Sequence, residues 1–233
     1  MEISLLSEVN LKKNFHRHKI TLLVDDQNFT DKRVKGIMLD EIKSLPQNLD
    51  KHFSSTENKL PVIGIFDESA VICINKNNKY KFLESWNGVC GAQLIINFND
   101  EKPVIGDKAV EVLDEPSYIV YDLIKIMSMP PEDIKIDPSW TFTIIKDEEN
   151  PVLLEFDNFD ETKKAASPAF LMALILKGIR KLIKIETGKK PKELAFWIFN
   201  NDEKYNETEI KRIEFELTES CNLLKISCKF VKF

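Results

Sequence analysis

The most constraining feature of this sequence is a long apolar segment, residues 167–187, that carries helix signals at both ends. Ser167 is a favoured N-cap residue, Pro168 fits the first helical position, and Gly188 suits a left-handed C-cap. Between these ends apolar residues recur at helical spacing, so one broad face of the helix must be buried. These residues are Leu171, Leu174, Ile175, Leu182 and Ile185, with Gly178 on the same face.

The segments around this helix alternate in a way that predicts a layered α/β core. An apolar strand at 194–199, an amphipathic helix at 206–218 and a final strand at 223–231 follow it. The segments before it are predicted to be mainly strands, since apolar residues there recur at every second position and turn signals separate the segments. The predicted strands are 62–66, 70–74, 80–84 and 93–98, with a hairpin formed by 140–146 and 152–156 and a helix at 117–129. This order defines a fold class and no function.

Residues 1–61 form a separate N-terminal part with its own pattern. Residues 19–25 are predicted to form a strand and residues 31–45 a helix that ends at Pro46. The polar run at 47–59 is the best linker, which places a boundary near 47–61. Asp25 and Asp26 favour a turn over a paired-carboxylate site. We therefore expect a small α/β extension whose role the sequence does not indicate.

The charge balance argues against a nucleic-acid partner. The chain has 33 Lys and Arg against 38 Asp and Glu, for a net charge of −5. Phosphate binding needs a concentrated basic face, and the densest basic stretch is only residues 189–192. That stretch is either a nuclear-localisation signal or a solvated loop after the long helix, and the loop is favoured.

Several other features predict a cytoplasmic protein, with a nuclear one as the alternative. The first 20 residues lack the uninterrupted apolar core of a secretory signal. The longest apolar run, residues 169–176, is far shorter than the ~20 residues that span a bilayer. Four scattered cysteines without a CxxC pair favour a reducing compartment and no metal site. These are Cys73, Cys90, Cys221 and Cys228.

A series of short motifs in residues 62–233 resembles the first lobe of the ATPase domain of the 70-kilodalton heat-shock chaperones, which belong to the actin-like ATPase superfamily. Each motif alone is weak, and their common order and spacing carry the resemblance. The motifs are Val-Ile-Gly-Ile at 62–65, Val-Ile-Gly-Asp at 104–107, Tyr-Asp at 121–122, Trp-Thr-Phe at 140–142, Asn-Pro at 150–151, the segment 156–163, Ser-Pro at 167–168, Gly-Lys-Lys at 188–190 and the loop and helix at 200–213.

The resemblance implies an actin-like (ribonuclease-H-like) α/β lobe with a mixed β-sheet and flanking helices. Its core would be 62–98 and 168–233, with an inserted subdomain at 99–167. It also implies that the residues for ATP chemistry are lost. Phe66, Asp67 and Glu68 stand where the family has a Gly-Thr-Thr phosphate turn, and Glu68 brings negative charge there. Ile124 stands at the lysine position, with Lys125 beside it, and Lys229 replaces a glutamate.

The function that this resemblance implies is a non-catalytic module without a cofactor, acting through protein contacts. Its partner would be a chaperone, a co-chaperone or a second copy, with no nucleic acid and no membrane. The alternative is a fragment that binds Mg-ATP when another chain supplies the second lobe. Trp86 is an interface candidate because Asn87 and Gly88 beside it favour exposure. Phe230 and Phe233 are two more, since they fall where the second lobe would pack.

Overall fold

The computed structural model describes residues 11–27, 29–54, 59–110, 116–200 and 203–233. Within them the chain is an α/β protein with a mixed central sheet, flanking helices and three smaller sheets, as the sequence predicts. The strands are β1 (Arg17–Val24), β2 (Thr30–Ile37), β3 (Val62–Phe66), β4 (Ser69–Lys76), β5 (Lys79–Phe82), β6 (Ala92–Gln93), β7 (Ile96–Asn97), β8 (Val104–Ile105), β9 (Ile119–Val120), β10 (Thr143–Ile145), β11 (Leu153–Asp157), β12 (Lys163–Ala166), β13 (Glu193–Ile198) and β14 (Ser227–Phe230). The helices are α1 (Asp40–Lys43), α2 (Leu45–His52), α3 (Asp107–Val110), α4 (Leu123–Ser128), α5 (Pro168–Thr187) and α6 (Glu207–Leu223).

The central sheet has the order β14-β13-β3-β4-β5, with β6 added beside β4. β3, β4 and β5 form an antiparallel meander, whereas β13 runs parallel to β3 and β14 parallel to β13. Asn77 and Asn78 close the β4–β5 turn with φ of 55° and 61°, a left-handed conformation that asparagine tolerates. Helices α5 and α6 supply the crossovers that parallel strands need.

Both faces of the central sheet are buried, and β3 shows this most directly. Ile63 and Ile65 point into the large core that contains α4, α5 and α6. Val62 and Phe66 point the other way, into a second core with α1 and α2. Gly64 lies on that second face, and a Cβ there would come within 2.8 Å of Leu45 Cδ2. The absence of a side chain at Gly64 therefore lets α2 approach the sheet closely.

The long helix and its neighbour begin and end as their signals predict. Ser167 Oγ accepts a hydrogen bond from Phe170 N at 3.2 Å, and Gly188 adopts a φ of 75° at the C-cap of α5. α6 begins with a reciprocal capping box between Asn206 and Glu209 and continues beyond the predicted end, to Leu223. The last strand is correspondingly shorter than predicted.

The segment between the meander and α5 holds two small three-stranded sheets, β8-β7-β9 and β10-β11-β12. The predicted hairpin is present as β10 and β11. The helix predicted at 117–129 was too long, because residues 119–120 form β9 and only Leu123–Ser128 is α-helical. β9 pairs with β7, a tertiary contact that overrides local helix propensity.

The prediction for the N-terminal part was wrong in two places. Residues 30–37 form β2, which pairs with β1 along eight residue pairs, and not the first half of a helix. Pro46 does not end a helix but lies in the first turn of α2, where proline is well tolerated. The predicted linker is therefore helical as far as His52, and its residues 55–58 lie outside the described residues.

Residues 40–53 belong to the same packed body as the central sheet. Ile42, Leu45 and Leu49 are fully buried, and with Phe53 they share the second core with Ala195 and Val231. None of the helices in the described ranges is long and apolar enough to cross a membrane.

Candidate functional site

The candidate site lies at the turn after β3, where Asp67 and Glu68 follow the strand directly. The parallel strands β3 and β13 end at the same edge of the sheet, since Ile65 lies opposite Ile198. Crevices at the carboxyl ends of parallel strands are the usual ligand positions in α/β proteins. Asp67 adopts a left-handed φ of 48°, and Phe66 pairs with Ser69 across the turn, so the chain reverses tightly from β3 into β4.

Asp67 is held by an arginine from the N-terminal part. Arg17 Nε lies 2.7 Å from Asp67 Oδ2, and Nη2 lies 3.2 Å from Oδ1, which is a two-point contact between guanidinium and carboxylate. The guanidinium also lies 5.8 Å from the centre of the Phe199 ring. Arg17 therefore fills the space directly beyond the turn.

Glu68 has a carboxyl group that is hidden from solvent although its methylene stem is partly exposed. Neither carboxyl oxygen makes a hydrogen bond of normal length and angle with a described residue. Burial raises the pKa of Glu68 to about 8, and the charge of Asp122 adds to this rise, while Lys204 and the Ile124 backbone oppose it. The carboxyl group is therefore mostly protonated at pH 7. Desolvation thus disfavours the negative charge that the sequence predicts at this position.

The loop after β13 supplies the other side of the site. Asn200 holds this loop by two hydrogen bonds to the backbone of Tyr205, at 2.7 and 2.9 Å. Lys204 Nζ reaches within 3.9 Å of Asp67 and 3.8 Å of Glu68. The Tyr205 hydroxyl is buried without a hydrogen-bond partner, and desolvation raises its pKa, with Glu68 as the next contributor. Tyr205 therefore remains protonated beside Glu68.

Helix α4 borders the site and contains the predicted lysine position. Ile124 is fully buried in the large core, so no ammonium stands there. Lys125 points away to Asp137, with Nζ 2.5 Å from Oδ2, and lies 5.6 Å from the centre of the Trp140 ring. The hydrogen bond to Asp137 raises the pKa of Lys125, and Asp122 and Glu68 add to this effect. Lys125 thus stays charged at the rim of the site.

Lys229 is not part of this site. Its ammonium lies 2.9 Å from Glu193 Oε1, at the beginning of β13, whereas Asp67 and Glu68 lie beyond the carboxyl end of β3. The structure brings together Asp67 and Glu68, and places Ile124 behind them in the core. Phe66 faces the second core and contacts the His16 ring edge to face at 5.2 Å between ring centres.

Residues 11–18, which we call the N-terminal strap, cross the mouth of the site. His16 Nδ1 accepts from Leu39 N at 2.8 Å, so Nε2 carries the proton that it donates to Val89 O at 2.7 Å. Burial lowers the pKa of His16, with the neighbouring Arg17 and Lys43 charges acting in the same direction. Beneath the strap is a cavity of about 310 Å³ between Phe15, Phe66 and Cys90. The neutral His16 side chain therefore holds the strap in place through its two hydrogen bonds.

The interface candidates have different positions. Trp86 is only 4% exposed and donates its indole N–H to Ala70 O at 2.9 Å, so the prediction of an exposed tryptophan was wrong. Its neighbours Asn87 and Gly88 both have a left-handed φ, of 58° and 54°. Phe230 stacks on Phe196 and is half-buried. Phe233 touches His52 of α2 but remains 56% exposed.

Sequence reasoning missed the residues that neutralise the site. Arg17 lies far from Asp67 in the sequence, and no local signal connects the two. Lys204 and Tyr205 fall in a loop that the resemblance marked without assigning them a role. Asp122 was noted only as part of a motif, yet it accepts the Trp140 indole N–H at 2.8 Å and has a left-handed φ of 56°.

The chain is thus an α/β protein with a cluster of acidic side chains whose charge is reduced by other residues of the same chain. One carboxylate is paired with arginine, another carboxyl group is protonated, and no three residues in the described ranges form a metal-binding group. Comparison with models of known protein families and with curated protein sequences finds no match for this chain.

Proposed function

We propose that this chain is a non-catalytic module, similar to the first ATPase lobe of a 70-kilodalton heat-shock chaperone, that acts through protein contacts. The observation that carries the proposal is the contact between Arg17 and Asp67 at the turn where the resemblance would place phosphate. A mixed sheet with helices on both faces is the architecture that the resemblance implies and supports the proposal further.

Two independent features disfavour nucleotide binding: the residues of the turn after β3, and the loss of the charged groups that catalysis needs. A phosphate cradle needs backbone N–H groups that the ligand can approach closely, which glycines and small hydroxyl residues permit. Here Phe66, Asp67 and Glu68 occupy the turn, and the strap covers it. Phosphoryl-transfer catalysis depends almost entirely on positioned groups and their electrostatics. Both are missing here, because Ile124 is buried in the core at the lysine position and Lys229, at the glutamate position, is paired with Glu193.

The alternative is a fragment that binds Mg-ATP when a second lobe is supplied by another chain. Two observations favour it: Lys125 keeps its ammonium at the rim of the site, and Glu68 is mostly neutral at pH 7 and so repels phosphate less than expected. In that case Arg17 would act as a removable cover, because its contact with Asp67 is only partly buried.

Calorimetric titration with Mg-ATP distinguishes these two functions. The full chain and the variant Arg17→Ser are titrated side by side, with a catalytically active chaperone ATPase domain as the positive control. We expect no saturable heat from either form of this chain. Saturable binding by Arg17→Ser would favour the alternative, and binding by the unaltered chain would overturn the proposal outright.

Protein contact is tested separately with purified partners. A fluorescent label is placed on a tag that contains no cysteine. The tagged chain is then titrated with a 70-kilodalton heat-shock chaperone in the presence of ADP or ATP. A saturable change in anisotropy would identify a chaperone as the partner. A flat titration would remove the chaperone from the proposal.

A further inference from the structure

Two of the four cysteines, Cys221 and Cys228, lie against each other although they belong to different elements. Cys221 is buried in the last turn of α6, whereas Cys228 is half-buried in β14. Both side chains pack in the large core. The N–H groups of Leu224 and Ile226 both donate to the Cys221 carbonyl oxygen, at 3.0 and 3.1 Å. The chain therefore returns directly from the end of the helix to the strand.

A short series of hydrogen bonds orients the two thiols. Thr218 lies one turn before Cys221 on the same face of α6, and its hydroxyl donates to Glu214 O at 2.8 Å. The Thr218 oxygen accepts from Cys228 Sγ at 3.7 Å. Burial raises the pKa of Cys221, and the Cys228 thiol, to which it is hydrogen-bonded, adds to this rise. The two sulfur atoms are thus neighbours, as a disulfide between them requires.

The two thiols differ in their access to solvent. Cys228 is partly exposed on β14, the end strand of the central sheet, whereas Cys221 is only 1% exposed. A reagent from solution therefore reaches Cys228 first. The other two cysteines also lie within the described residues and have no such neighbour. Cys73 is in the second core, and Cys90 lines the cavity beneath the strap without another cysteine.

We propose that Cys221 and Cys228 form a modification site at which a peroxide produces a disulfide between α6 and β14. The Cys228 thiol is oxidised first: the O–O bond of the peroxide breaks, a sulfenic acid forms on Cys228, and one water leaves. The Cys221 sulfur then displaces the sulfenic hydroxyl group, which leaves as a second water with the Cys221 proton. Overall, two thiols lose two protons and two electrons, and one hydrogen peroxide is reduced to two waters.

The neighbouring Cys221 determines the product of the reaction. A cysteine without a resolving neighbour proceeds from the sulfenic acid to irreversible sulfinic and sulfonic acids. At this site the disulfide forms instead, and other thiols can reduce it. The bond fastens the end of α6 to β14, the strand that carries Phe230 and leads to Val231 in the second core. In a reducing compartment it is transient, and it depends on neither nucleotide nor a protein partner.

Peptide mapping of the full chain after exposure to hydrogen peroxide tests the pairing. The remaining thiols are alkylated, and the unfolded protein is digested with trypsin without reduction. Cleavage after Arg212, Lys225 and Lys229 places the two cysteines on separate peptides, residues 213–225 and 226–229. We expect these peptides to be joined as the main cross-linked product, lighter by two hydrogen atoms than their sum. Higher oxides of Cys228 without joined peptides, or joining mainly to another cysteine, would overturn the proposal.

The variant Cys221→Ser tests the order of the two steps. Without the second thiol, the sulfenic acid of Cys228 should accumulate and be captured by dimedone, whereas the unaltered chain should show little capture there. Cys90→Ser is the matched control, because Cys90 is also half-buried and its removal should leave the joined peptides unchanged. Equal capture at Cys228 in Cys221→Ser and in the unaltered chain would show that Cys221 does not react with it, and would refute the proposal.

Urea unfolding tests whether the disulfide fits the folded structure. A bond that fits restricts mainly the unfolded chain, so peroxide should raise the unfolding midpoint and dithiothreitol should restore it. The variant Cys228→Ser, treated in the same way, corrects for oxidation of methionine and should show no such rise. A midpoint that falls relative to that control would mean that the bond forms only in an opened structure, which contradicts the proposed site.

Discussion

Arg17 and Asp67 are 50 positions apart in the chain, and two hydrogen bonds between their side chains attach the N-terminal strap to the turn after β3. The arginine occupies the place at which a ligand would approach the carboxyl end of the strand. Because so many residues separate them in the chain, Arg17 and Asp67 come into contact only in the folded protein. It therefore reports directly on whether the strap is closed.

Replacing Arg17 with alanine should open the strap with a small loss of stability. Both side chains are about a third exposed, so solvent screens the pair and the cost is at most ~1 kcal/mol. Hydrogen exchange should accelerate at residues 14–18 and at Leu39, whose N–H is bonded to His16. Lys211→Ala, which breaks an exposed ion pair on α6, should leave exchange at those residues unchanged.

The buried carboxyl group of Glu68 should make stability depend on pH. Its folded pKa of about 8 lies above its ordinary value of 4.5, so the folded protein binds this proton more tightly than the unfolded chain does. The contribution is complete below pH 4.5 and is lost as pH rises toward and through 8. Urea unfolding between pH 5 and 9 should show this decline, by up to a few kcal/mol.

The variant Glu68→Gln removes the titrating group while keeping the shape of the side chain. Its stability should be nearly independent of pH in the window between 4.5 and 8, apart from changes shared with the unaltered chain. Above pH 8 it should be the more stable of the two proteins. Parallel pH profiles for both proteins would show that Glu68 is not the titrating group.

Two glycines that share a positive φ, but have ψ of 179° at Gly91 and −9° at Gly188, should respond very differently to alanine. Gly91 has a φ of 70°, and a Cβ there would come within 2.4 Å of the Ala70 carbonyl oxygen. Gly188 has a φ of 75° and open space around it. Gly188→Ala should cost ~1 kcal/mol from backbone strain alone, and Gly91→Ala clearly more, because the backbone of β4 must also move. Thermal unfolding of both variants gives the comparison.

Truncating Leu49 tests whether α2 is part of the main body. The side chain is fully buried in the core shared with the central sheet, so Leu49→Ala should cost about 2–5 kcal/mol. Lys51→Ala on the exposed side of the same helix should cost less than about 0.5 kcal/mol. A loss confined to a separate early unfolding transition would instead mean that α2 is an independent unit.

Local signals predicted the parts of the fold whose stability is local. The caps of α5 at Ser167 and Gly188 are correct because each acts within a few residues of its own helix end. Residues 31–37 were assigned to the wrong element, because Val34 and Ile37 fit both a helical spacing and a strand, and only pairing with β1 decides between them. Pro46 was ambiguous in the same way, since proline both ends helices and begins them.

The turn that contains Asp67 and Glu68 was predictable, but its chemistry was not. The strands predicted at 62–66 and 70–74 leave a turn between them, and the structure has β3 and β4 joined there. The protonated state of Glu68 depends on burial by α4 and by the loop of Tyr205, which no spacing in the sequence reveals. The exposure of Trp86 was misjudged for a related reason, because its hydrogen bond to Ala70 forms only when the meander closes.

The packing of α2 has a consequence for synthesis on the ribosome. Residues 40–53 leave the ribosome well before Ala195, Phe199 and Val231, which complete their buried surface. Until then Ile42, Leu45 and Leu49 have only part of their final surroundings. A nascent chain with such long-range contacts folds slowly and exposes apolar groups while it waits. Helices α1 and α2 thus depend on residues that follow much later in the chain, and a chain that stalls before β13 should be a substrate for quality control.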